Sequence, residues 1–452
     1  MRDKSNWEPR IASGDGPIYQ RIAAAIIEDI EAGKIPQGTR LPAQRDLAFT
    51  LDVGLGTVTK AYNLITRRGV GKAEKGRAMF VTSLPAQTSK VELHANIPPN
   101  LLSREMLSRT LLELSQVVST VPPQTAEPYQ GSYDHRKSLA AWLRTYCPTI
   151  GPENMIMCNG GQHAIWMALS VLKQEDSVVV TDELPFPGLI WVVEKLGMEV
   201  SNIRSDRHGM DINDLENKII SLLSKGKNPI LYIATTAQNP TGVSLSNSKI
   251  RAIARICKRL NVSIIEDDVY AAFSSENHVS FYELLPKLVF YINSLAKILS
   301  PWFRLGVLVV PSHFHTKALD MVSVQGSKVS PIMTQVLQHW IISGLAEEVA
   351  TMTHQEGIKR NKLAATLFDS PKDAWIGNGF HMFLPMSLTD SQKLWQSANE
   401  VGILLTRPSE SFLDGSNRSG IRICMGPPSI EDLKTSLEKI VNLHREILKE
   451  PA

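Results

Sequence analysis

One lysine, placed just after an apolar run, constrains this chain more than any other residue. The run 288–292 (Leu-Val-Phe-Tyr-Ile) predicts a buried strand, and Lys297 lies just beyond its end. An amine in that position loses contact with water, which lowers its pKa and frees the nucleophile that a Schiff base requires. Ser294 and Arg304 lie close to it in the chain, and a phosphate-bearing aldehyde would need such a hydroxyl and guanidinium. The Ser-x-x-Lys spacing is common, so taken alone it favours an ordinary strand end with a solvated lysine.

Two further polar clusters follow strand-like runs in the same way. The segment 239–242 (Asn-Pro-Thr-Gly) comes after the run 230–234, and the segment 267–270 (Asp-Asp-Val-Tyr) comes after the run 262–265. Open α/β sheets bind their ligands beyond the carboxyl ends of the strands. The sequence therefore predicts an α/β fold whose ligand site is built from these clusters.

A glycine turn and an aromatic residue extend the pattern. The run 155–158 predicts a strand, and a helix is predicted to begin in the Gly160-Gly161-Gln162 turn that follows it. Backbone N–H groups and the positive end of the helix dipole would face an anion there. Phe186 lies after another predicted strand, 178–180. An ordinary core phenylalanine is an alternative for Phe186, because most aromatic residues are core residues.

In order and spacing, these motifs resemble those of the fold-type I aminotransferases, a family that uses pyridoxal 5′-phosphate (PLP). The resemblance covers about residues 90–450. It implies a mostly parallel central sheet with helices on both faces, followed by a smaller C-terminal α+β subdomain. The residues that it assigns to the cofactor are Gly160, Gly161, Gln162, Phe186, Asn239, Asp267, Tyr270, Ser294, Lys297 and Arg304.

The resemblance also implies a role for each of these residues. Lys297 would carry PLP as a Schiff base, and Asp267 would pair with the protonated ring nitrogen, which keeps the ring an electron sink. Phe186 would stack on the ring, and Asn239 and Tyr270 would hydrogen-bond its O3′ atom. The remaining residues would hold the phosphate.

The same resemblance assigns a ligand-binding arginine to the C-terminal subdomain. Arg422, in the predicted strand 421–424, matches the arginine that binds a substrate α-carboxylate. A guanidinium suits this role because its planar fork binds a carboxylate through two hydrogen bonds. The alternative, a surface arginine on a strand, conflicts with the apolar residues on either side of it.

Composition narrows the class of protein. The chain has 452 residues, which predicts two or three domains, and its net charge of +3 gives no overall electrostatic case for nucleic acid. Residues 1–82 nevertheless carry about 13 Lys and Arg against about 9 Asp and Glu, so the positive excess lies at the N-terminus. The four cysteines lack metal-ligand spacing and predict reduced thiols in a cytoplasmic protein. No metal site, signal peptide or membrane span is predicted.

The basic N-terminal region has the pattern of a winged helix-turn-helix. Ile22, Ile26 and Ile30 recur at helical spacing, Pro42 predicts the start of a second helix, and 57–65 predicts a third. A hairpin with a glycine turn is predicted over 72–81.

The segments 41–48, 56–62 and 76–81 resemble the GntR-type winged helix. This resemblance implies DNA contacts from Arg45, Thr57, Thr59, Lys60 and Arg77. A three-helix dimerisation or capping domain is the alternative.

Together, the two halves resemble the MocR-type subfamily of GntR transcription regulators. The resemblance implies a PLP-binding, effector-responsive protein that binds double-stranded DNA as a homodimer with head-to-tail domain exchange. An amino acid or an amine would be the effector. The predicted domains are the winged helix 1–82, a linker 83–105, a PLP-binding domain 106–340 and a small subdomain 341–452. Two alternatives remain open: an active aminotransferase with an accessory N-terminal domain, and a sensor of PLP alone.

Overall fold

A computed structural model describes residues 10–11, 16–31, 34–36, 38–67, 71–74, 78–81, 90–118, 128–274, 278–326, 328–369, 372–413 and 416–449. The chain divides into two compact units, Met1–Lys90 and Val91–Ala452. This boundary falls inside the predicted linker 83–105. The finer division of the second unit at residue 340 stays a prediction.

The first unit consists of three helices and a hairpin, as the sequence predicts. Its elements are α1 Ile18–Glu31, α2 Gln44–Thr50, α3 Leu55–Arg67, β1 Gly71–Glu74 and β2 Ala78–Val81, with β1 and β2 antiparallel. The predicted apolar face of α1 is buried, including Ile22 and Ile26. The second helix begins two residues later than predicted, because Ala43, which follows Pro42, still has an extended backbone. The carbonyl of Pro42 instead accepts a hydrogen bond from the Tyr62 hydroxyl on α3 at 2.8 Å.

The second unit alternates strands and helices. Its strands are β3 Val91–Leu93, β4 Met155–Cys158, β5 Ser177–Asp182, β6 Glu199–Ile203, β7 Ser205–Asp206, β8 Gly209–Met210, β9 Asn228–Ala234, β10 Ser263–Asp267, β11 Val289–Ser294, β12 Gly306–Val309, β13 Trp375–Ile376, β14 His381–Ser387, β15 Ile403–Leu405, β16 Ser409–Glu410 and β17 Arg418–Cys424. Its α-helices are α4 Arg104–Val118, α5 Tyr133–Leu143, α6 Gly161–Leu172, α7 Pro187–Leu196, α8 Ile212–Ser224, α9 Asn247–Leu260, α10 Phe281–Leu284, α11 His315–Gln325, α12 Pro331–Ser343, α13 Leu345–Leu367, α14 Leu388–Glu400 and α15 Ile430–Lys449. Short 3-10 helices cover Ala271–Phe273, Pro301–Phe303 and Ser312–Phe314.

Seven strands form the central sheet in the order β4-β12-β11-β10-β9-β5-β6. Only β12 runs antiparallel to its neighbours, so the predicted mostly parallel sheet is confirmed. The register pairs Asp267 with Ala234 on one side and with Ile292 on the other. The carboxyl ends of β9, β10 and β11 therefore meet at one edge of the sheet.

Both faces of this sheet are covered, as its apolar strands require. Along β9, Leu231 and Ile233 point into one apolar core, while Ile230 and Tyr232 point into the other. The alternation follows from the pleat, because successive side chains on a strand point to opposite faces. Helices α6, α7 and α11 contribute to the core that contains Tyr232.

The C-terminal part of the second unit has its own sheet and core. Strands β13, β14, β17 and β16 are antiparallel in that order, and Arg422 on β17 lies opposite Phe383 on β14. Leu394 on α14 and Leu433 on α15 pack into the core of this sheet. Strand β3, at the start of the unit, pairs in parallel with β15. The predicted smaller α+β subdomain is confirmed.

Two properties concern the chain as a whole. Within the described ranges, no helix is both long and apolar enough to cross a bilayer. Cys147, Cys158, Cys257 and Cys424 are all buried free thiols. Burial raises the pKa of the Cys257 thiol to about 12, so it stays protonated at neutral pH.

We expect Gly306→Ala to disrupt the start of β12, where it packs between β11 and the segment after β4. A Cβ atom on Gly306 would lie 2.8 Å from the carbonyl carbon of Gly160 and 3.0 Å from the carbonyl oxygen of Asn293. Both contacts are with backbone, which cannot rotate away, so the free energy of unfolding should fall by at least about 1–3 kcal/mol. Gly56→Ala is the control, because nothing lies within 4 Å of its new Cβ atom. Equal thermal unfolding of the second unit in both variants would contradict this expectation.

Candidate functional site

The shared edge of β9, β10 and β11 opens into a cavity of about 250 Å³. All ten residues that the sequence assigns to a cofactor line this cavity: Gly160, Gly161, Gln162, Phe186, Asn239, Asp267, Tyr270, Ser294, Lys297 and Arg304. They come from six separate parts of the chain. The parallel register brings them together, and their individual contacts with a cofactor stay predictions.

Lys297 lies on the wall of this cavity, three residues past the end of β11. Its amine is buried, and burial lowers the pKa of Lys297 to about 8, with the positive charge of Arg422 acting in the same direction. The amine donates a hydrogen bond to the backbone carbonyl of Asn96 and lies 5.8 Å from the centre of the Tyr270 ring. At pH 7 about a tenth of such amines are neutral, far more than for an exposed lysine. The site therefore supplies a nucleophilic amine.

Asp267 ends β10 as a buried carboxylate. Burial raises the pKa of Asp267, while the Tyr232 hydroxyl, which donates a hydrogen bond to it, and the charge of Lys297 oppose this rise. A carboxylate in such a place is stabilised most by a cation that enters the cavity. Asp267 therefore suits a cationic ring nitrogen.

Tyr270 and Asn239 also line the cavity, and Arg422 lies beside Asn239. Arg422 donates from Nη1 to Asn239 Oδ1 at 2.6 Å, and this bond joins the small subdomain to the segment after β9. The hydroxyl of Tyr270 is fully buried and makes no hydrogen bond with the described residues. A buried hydroxyl without a partner costs free energy unless a ligand supplies one.

One end of the cavity lies where α6 begins. Gly160 has φ +85°, and no side chain caps the helix, so the first N–H groups of α6 stay open to a ligand. The cavity wall here also includes Ser294, which is buried, and Arg304, which is exposed. A Cβ atom on Gly161 would touch Val269 at 3.3 Å and Ser294 at 3.6 Å. This end offers a hydroxyl, a guanidinium and backbone donors, which suits a phosphate.

The cavity thus fits PLP at every functional group of the cofactor. A nucleophilic amine matches its aldehyde, a buried carboxylate matches its ring nitrogen, and an orphaned hydroxyl matches its O3′ atom. Partly buried Phe186 also lines the cavity and offers an aromatic face to the ring. The donor set at the start of α6 matches its phosphate.

Comparison with protein families decides the identity of this unit. The family "Aminotransferase class I and II" matches residues 88–440, and "Bacterial regulatory proteins, gntR family" matches residues 18–81.

The chain belongs to the aminotransferase class I and II family.

PLP is the cofactor of this aminotransferase-type domain, as predicted. With the GntR match at its N-terminus, the chain has the two-part organisation of the MocR-type GntR regulators, and that prediction is also confirmed.

Known relatives share both parts or the fold of the larger one. The chain is 27% identical over 377 residues to the uncharacterised HTH-type transcriptional regulator YdeF of Bacillus subtilis (strain 168), covering 79% of each protein. It is 24% identical to the uncharacterised HTH-type transcriptional regulator YdfD of the same organism, covering 95% of this chain and 97% of YdfD. A solved archaeal alanine:glyoxylate aminotransferase has the same fold, with a TM-score of 0.71 and 21% identity over 86% of this chain and 95% of that one.

The predicted DNA-binding residues of the GntR-type unit lie on α2 and α3. Arg45 and Lys60 are exposed, and Thr57 is half-buried. Thr59 is engaged within the unit, because its hydroxyl lies within hydrogen-bond distance of Gln44 Oε1 (2.8 Å) and of the carbonyl of Leu55 (3.0 Å) and can donate to either. Arg77 lies outside the described residues. The DNA contacts of all five stay predictions.

Three residues at the aminotransferase-type site were missed by the sequence analysis. Tyr232 holds Asp267, Asn96 accepts from Lys297, and His381 hydrogen-bonds Asn96. Tyr232 could have been found from the sequence, because it is a polar aromatic residue inside the otherwise aliphatic run 230–234. No local pattern predicts the contact between Asn96 and His381, because they meet only when distant segments fold together.

We expect the rate at which PLP attaches to cofactor-free protein to rise with pH, with a midpoint near 8. The lowered pKa of Lys297 means that its amine loses the proton, and becomes nucleophilic, at a lower pH than an ordinary lysine. The measurement is the growth of a visible absorbance band that borohydride bleaches. Lys297→Ala is the control and should form no such band. A midpoint near the ordinary lysine value would show that the amine is not desolvated.

Proposed function

We propose that this protein is a PLP-binding transcription regulator of the MocR type, whose DNA binding responds to a small amino ligand. One observation supports it above all: a GntR-type unit and an aminotransferase-type unit with a full set of cofactor residues lie on one chain. The related proteins YdeF and YdfD, which match 79% and 95% of this chain, are named as HTH-type transcriptional regulators. The fold of the larger unit alone would not assign a function.

The N-terminal unit is the DNA-binding part in this proposal. In winged helix-turn-helix units, the second helix of the motif enters the major groove, and here that helix is α3. The side chain of Lys60 is exposed on α3, with its amine 6.0 Å from the Tyr19 ring centre. Arg45 is exposed on α2. These cations suit phosphate contacts, which position such a unit on DNA.

The larger unit is the ligand-sensing part. When bound, PLP supplies an aldehyde that reacts with amines and a ring that accepts electrons. The residues of this chain would bind and orient it: the start of α6 and Arg304 would hold its phosphate, and Asp267 would pair with its ring nitrogen. Arg422 would bind the carboxylate of the ligand. We therefore propose an amino acid or another amine with a carboxylate as the effector.

An active aminotransferase is the second candidate. It is supported by the desolvated amine of Lys297 and the buried Asp267, which are the groups that transamination needs. The two functions differ in a simple assay. Repeated turnover with an amino acid and a keto acid would favour the enzyme, whereas salt-dependent binding to a specific operator would favour the regulator. A response to PLP alone would favour a sensor of the cofactor.

Two further parts of the proposal concern assembly and location. We propose a homodimer with head-to-tail exchange of the N-terminal units, as the resemblance to MocR-type regulators implies. A protein that binds the genome acts where the genome is, so the predicted cytoplasmic location belongs to the same proposal. Light scattering of the purified protein tests the dimer.

We expect Arg45→Ala and Lys60→Ala to weaken operator binding and to leave the PLP absorbance unchanged. Each variant removes one exposed cation from the N-terminal unit, so a residue on a phosphate should lower the log–log salt slope by about one unit. An operator selected from random DNA, followed by titration at several salt concentrations, provides the measurement. Lys195→Ala, an exposed lysine on α7, is the matched control. If both N-terminal variants bind like this control, the DNA-binding surface lies elsewhere.

Arg422→Ala should abolish the effect of a carboxylate-bearing effector on operator affinity. A ligand can shift an equilibrium only through contacts that differ between two states, and Arg422 offers such a contact. Wild-type protein should change its operator affinity about 5- to 150-fold on ligand binding, the usual range of allosteric coupling. The test is operator titration with and without a panel of amino acids. Arg251→Ala, an exposed arginine on α9, should respond like wild type. An undiminished response in the Arg422 variant would exclude it as the carboxylate site.

A further inference from the structure

The chain covers part of its own ligand site with a short segment that precedes α4. We call residues His94–Ile97 the strap. The carbonyl of His94 accepts a hydrogen bond from Arg422 Nη2 at 3.1 Å, and the carbonyl of Asn96 accepts one from the Lys297 amine. Asn96 and Lys297 are 201 residues apart in the sequence. The strap thus contacts the two cations that the proposed ligand would need.

The strap leaves one hydrogen-bond donor of Arg422 without a partner, and a carboxylate could fill that place. Within the described residues, the Nε atom of Arg422 is buried and has no hydrogen-bond partner. Nε and Nη2 form one edge of the guanidinium, and a carboxylate binds such an edge through both of its oxygens. The single carbonyl of His94 contacts only Nη2. A carboxylate on this edge would gain a second, charge-assisted bond that the strap cannot make.

A side-chain hydrogen bond helps to hold the strap in place. His381 Nε2 lies 3.1 Å from the carbonyl of Gln238, and a carbonyl can only accept, so the proton of the imidazole is on Nε2. Nδ1 is then an acceptor, and Asn96 Nδ2 donates to it at 3.4 Å. Burial lowers the pKa of His381 to about 3, which keeps the ring neutral and this pairing intact. Asn96 is therefore tied to strand β14.

Close packing against the small subdomain also holds the strap. A Cβ atom on Gly426 would lie 1.8 Å from the carbonyl oxygen of Ile97, so only glycine permits this approach. The buried thiol of Cys424 lies 3.4 Å from the carbonyl of His94. The strap thus covers Cys424, and release of the strap would expose it.

We propose that the strap is an internal competitor for the ligand site, displaced by small molecules whose carboxylate replaces the His94 carbonyl on Arg422. The ligand class is therefore a carboxylate, and its neutral amide analogue should fail, because it lacks the charge that outcompetes a backbone carbonyl. When Lys297 holds the cofactor, its bond to Asn96 is given up. Three contacts then retain the strap: the hydrogen bond from Arg422 to the His94 carbonyl, the hydrogen bond from Asn96 to His381, and the packing of Ile97 against Gly426.

Displacement of the strap offers a route for regulation, and this part rests on the proposed function. The strap follows β3, which begins at Val91, the first residue after the N-terminal unit. A ligand that frees the strap removes the support on the C-terminal side of β3, so the pairing of β3 with β15 should weaken. No side chain has to carry the signal, because the connection is covalent.

The experiment uses PLP-loaded full-length protein with propionate and propionamide at matched ionic strength. Two readouts report on the strap: amide hydrogen exchange of the peptide that contains residues 91–97, and the rate of Cys424 alkylation by iodoacetamide, both followed by mass spectrometry. Propionate should speed both in wild type, and propionamide should change neither. Cys147, Cys158 and Cys257, also buried, should stay unreactive and serve as internal controls.

Asn96→Ala tests the strap separately from the arginine. It removes the hydrogen bond to His381, so exchange and alkylation should be faster without ligand, and the propionate midpoint should fall about 3- to 10-fold. Asn361→Ala is the matched control. Its amide also donates one hydrogen bond, to the Gly379 carbonyl at 3.0 Å, and its Oδ1 is also buried without a partner in the described chain. This control should behave like wild type in every readout.

Gly426→Ala provides a second, independent variant, because its new Cβ atom would push against Ile97 rather than remove a bond. It should shift the propionate midpoint in the same direction as Asn96→Ala.

Unchanged or weaker propionate binding in the Asn96 variant overturns the proposal, and so does the absence of any response in all proteins. Binding heat from propionate with no change in strap exchange would overturn the strap but leave the Arg422 site standing. Loss of operator binding would instead refute the regulator and leave the strap result intact.

Discussion

The parallel pairing of β9, β10 and β11 is the constraint on which the rest of the site depends. The pairing of Asp267 with Ala234 and Ile292 brings three strand ends level with one another. The residues that follow each strand must then share one space, because neighbouring strands lie only about 5 Å apart. A register shift of one residue in β10 would turn Asp267 to the other face of the sheet. The carboxylate, the amine and the asparagine would then no longer meet.

Burial sets the electrostatics that this arrangement creates. The same desolvation lowers the pKa of Lys297 and raises that of Asp267, so each group is less charged than it would be in water. Both changes suit PLP, which needs a neutral amine for its aldehyde and brings a cation for the carboxylate. Tyr232 limits the rise at Asp267 by donating a hydrogen bond. The site is prepared for the cofactor by solvent exclusion more than by any single ion pair.

The two subdomains of the larger unit meet where a ligand would bind. Arg422 contacts Asn239, which belongs to the large sheet, and Arg418 on the same strand donates to buried Glu183 and, at 2.6 Å, to the carbonyl of Ser205. Hydrogen bonds of one short strand therefore join the subdomains at two points. The strap reaches the same place from the N-terminal side. A ligand at Arg422 would therefore change both the contact between the subdomains and the position of the strap.

Local patterns in the sequence predict the order of the elements and identify the residues with reactive groups. Apolar runs that end in polar clusters indicated β9, β10 and β11, because a strand buried on both faces must be continuously apolar. The Asn-Pro-Thr-Gly and Asp-x-x-Tyr motifs and Lys297 are local signals, as is the helical spacing of Ile22, Ile26 and Ile30. The partners of these groups, in contrast, are visible only in the folded chain. Tyr232 reaches Asp267 because adjacent strands are in register, and Asn96 reaches Lys297 and His381 across 201 and 285 residues of sequence. Hydrogen bonds between distant segments leave no periodic trace in a sequence, since their geometry exists only after the chain has packed.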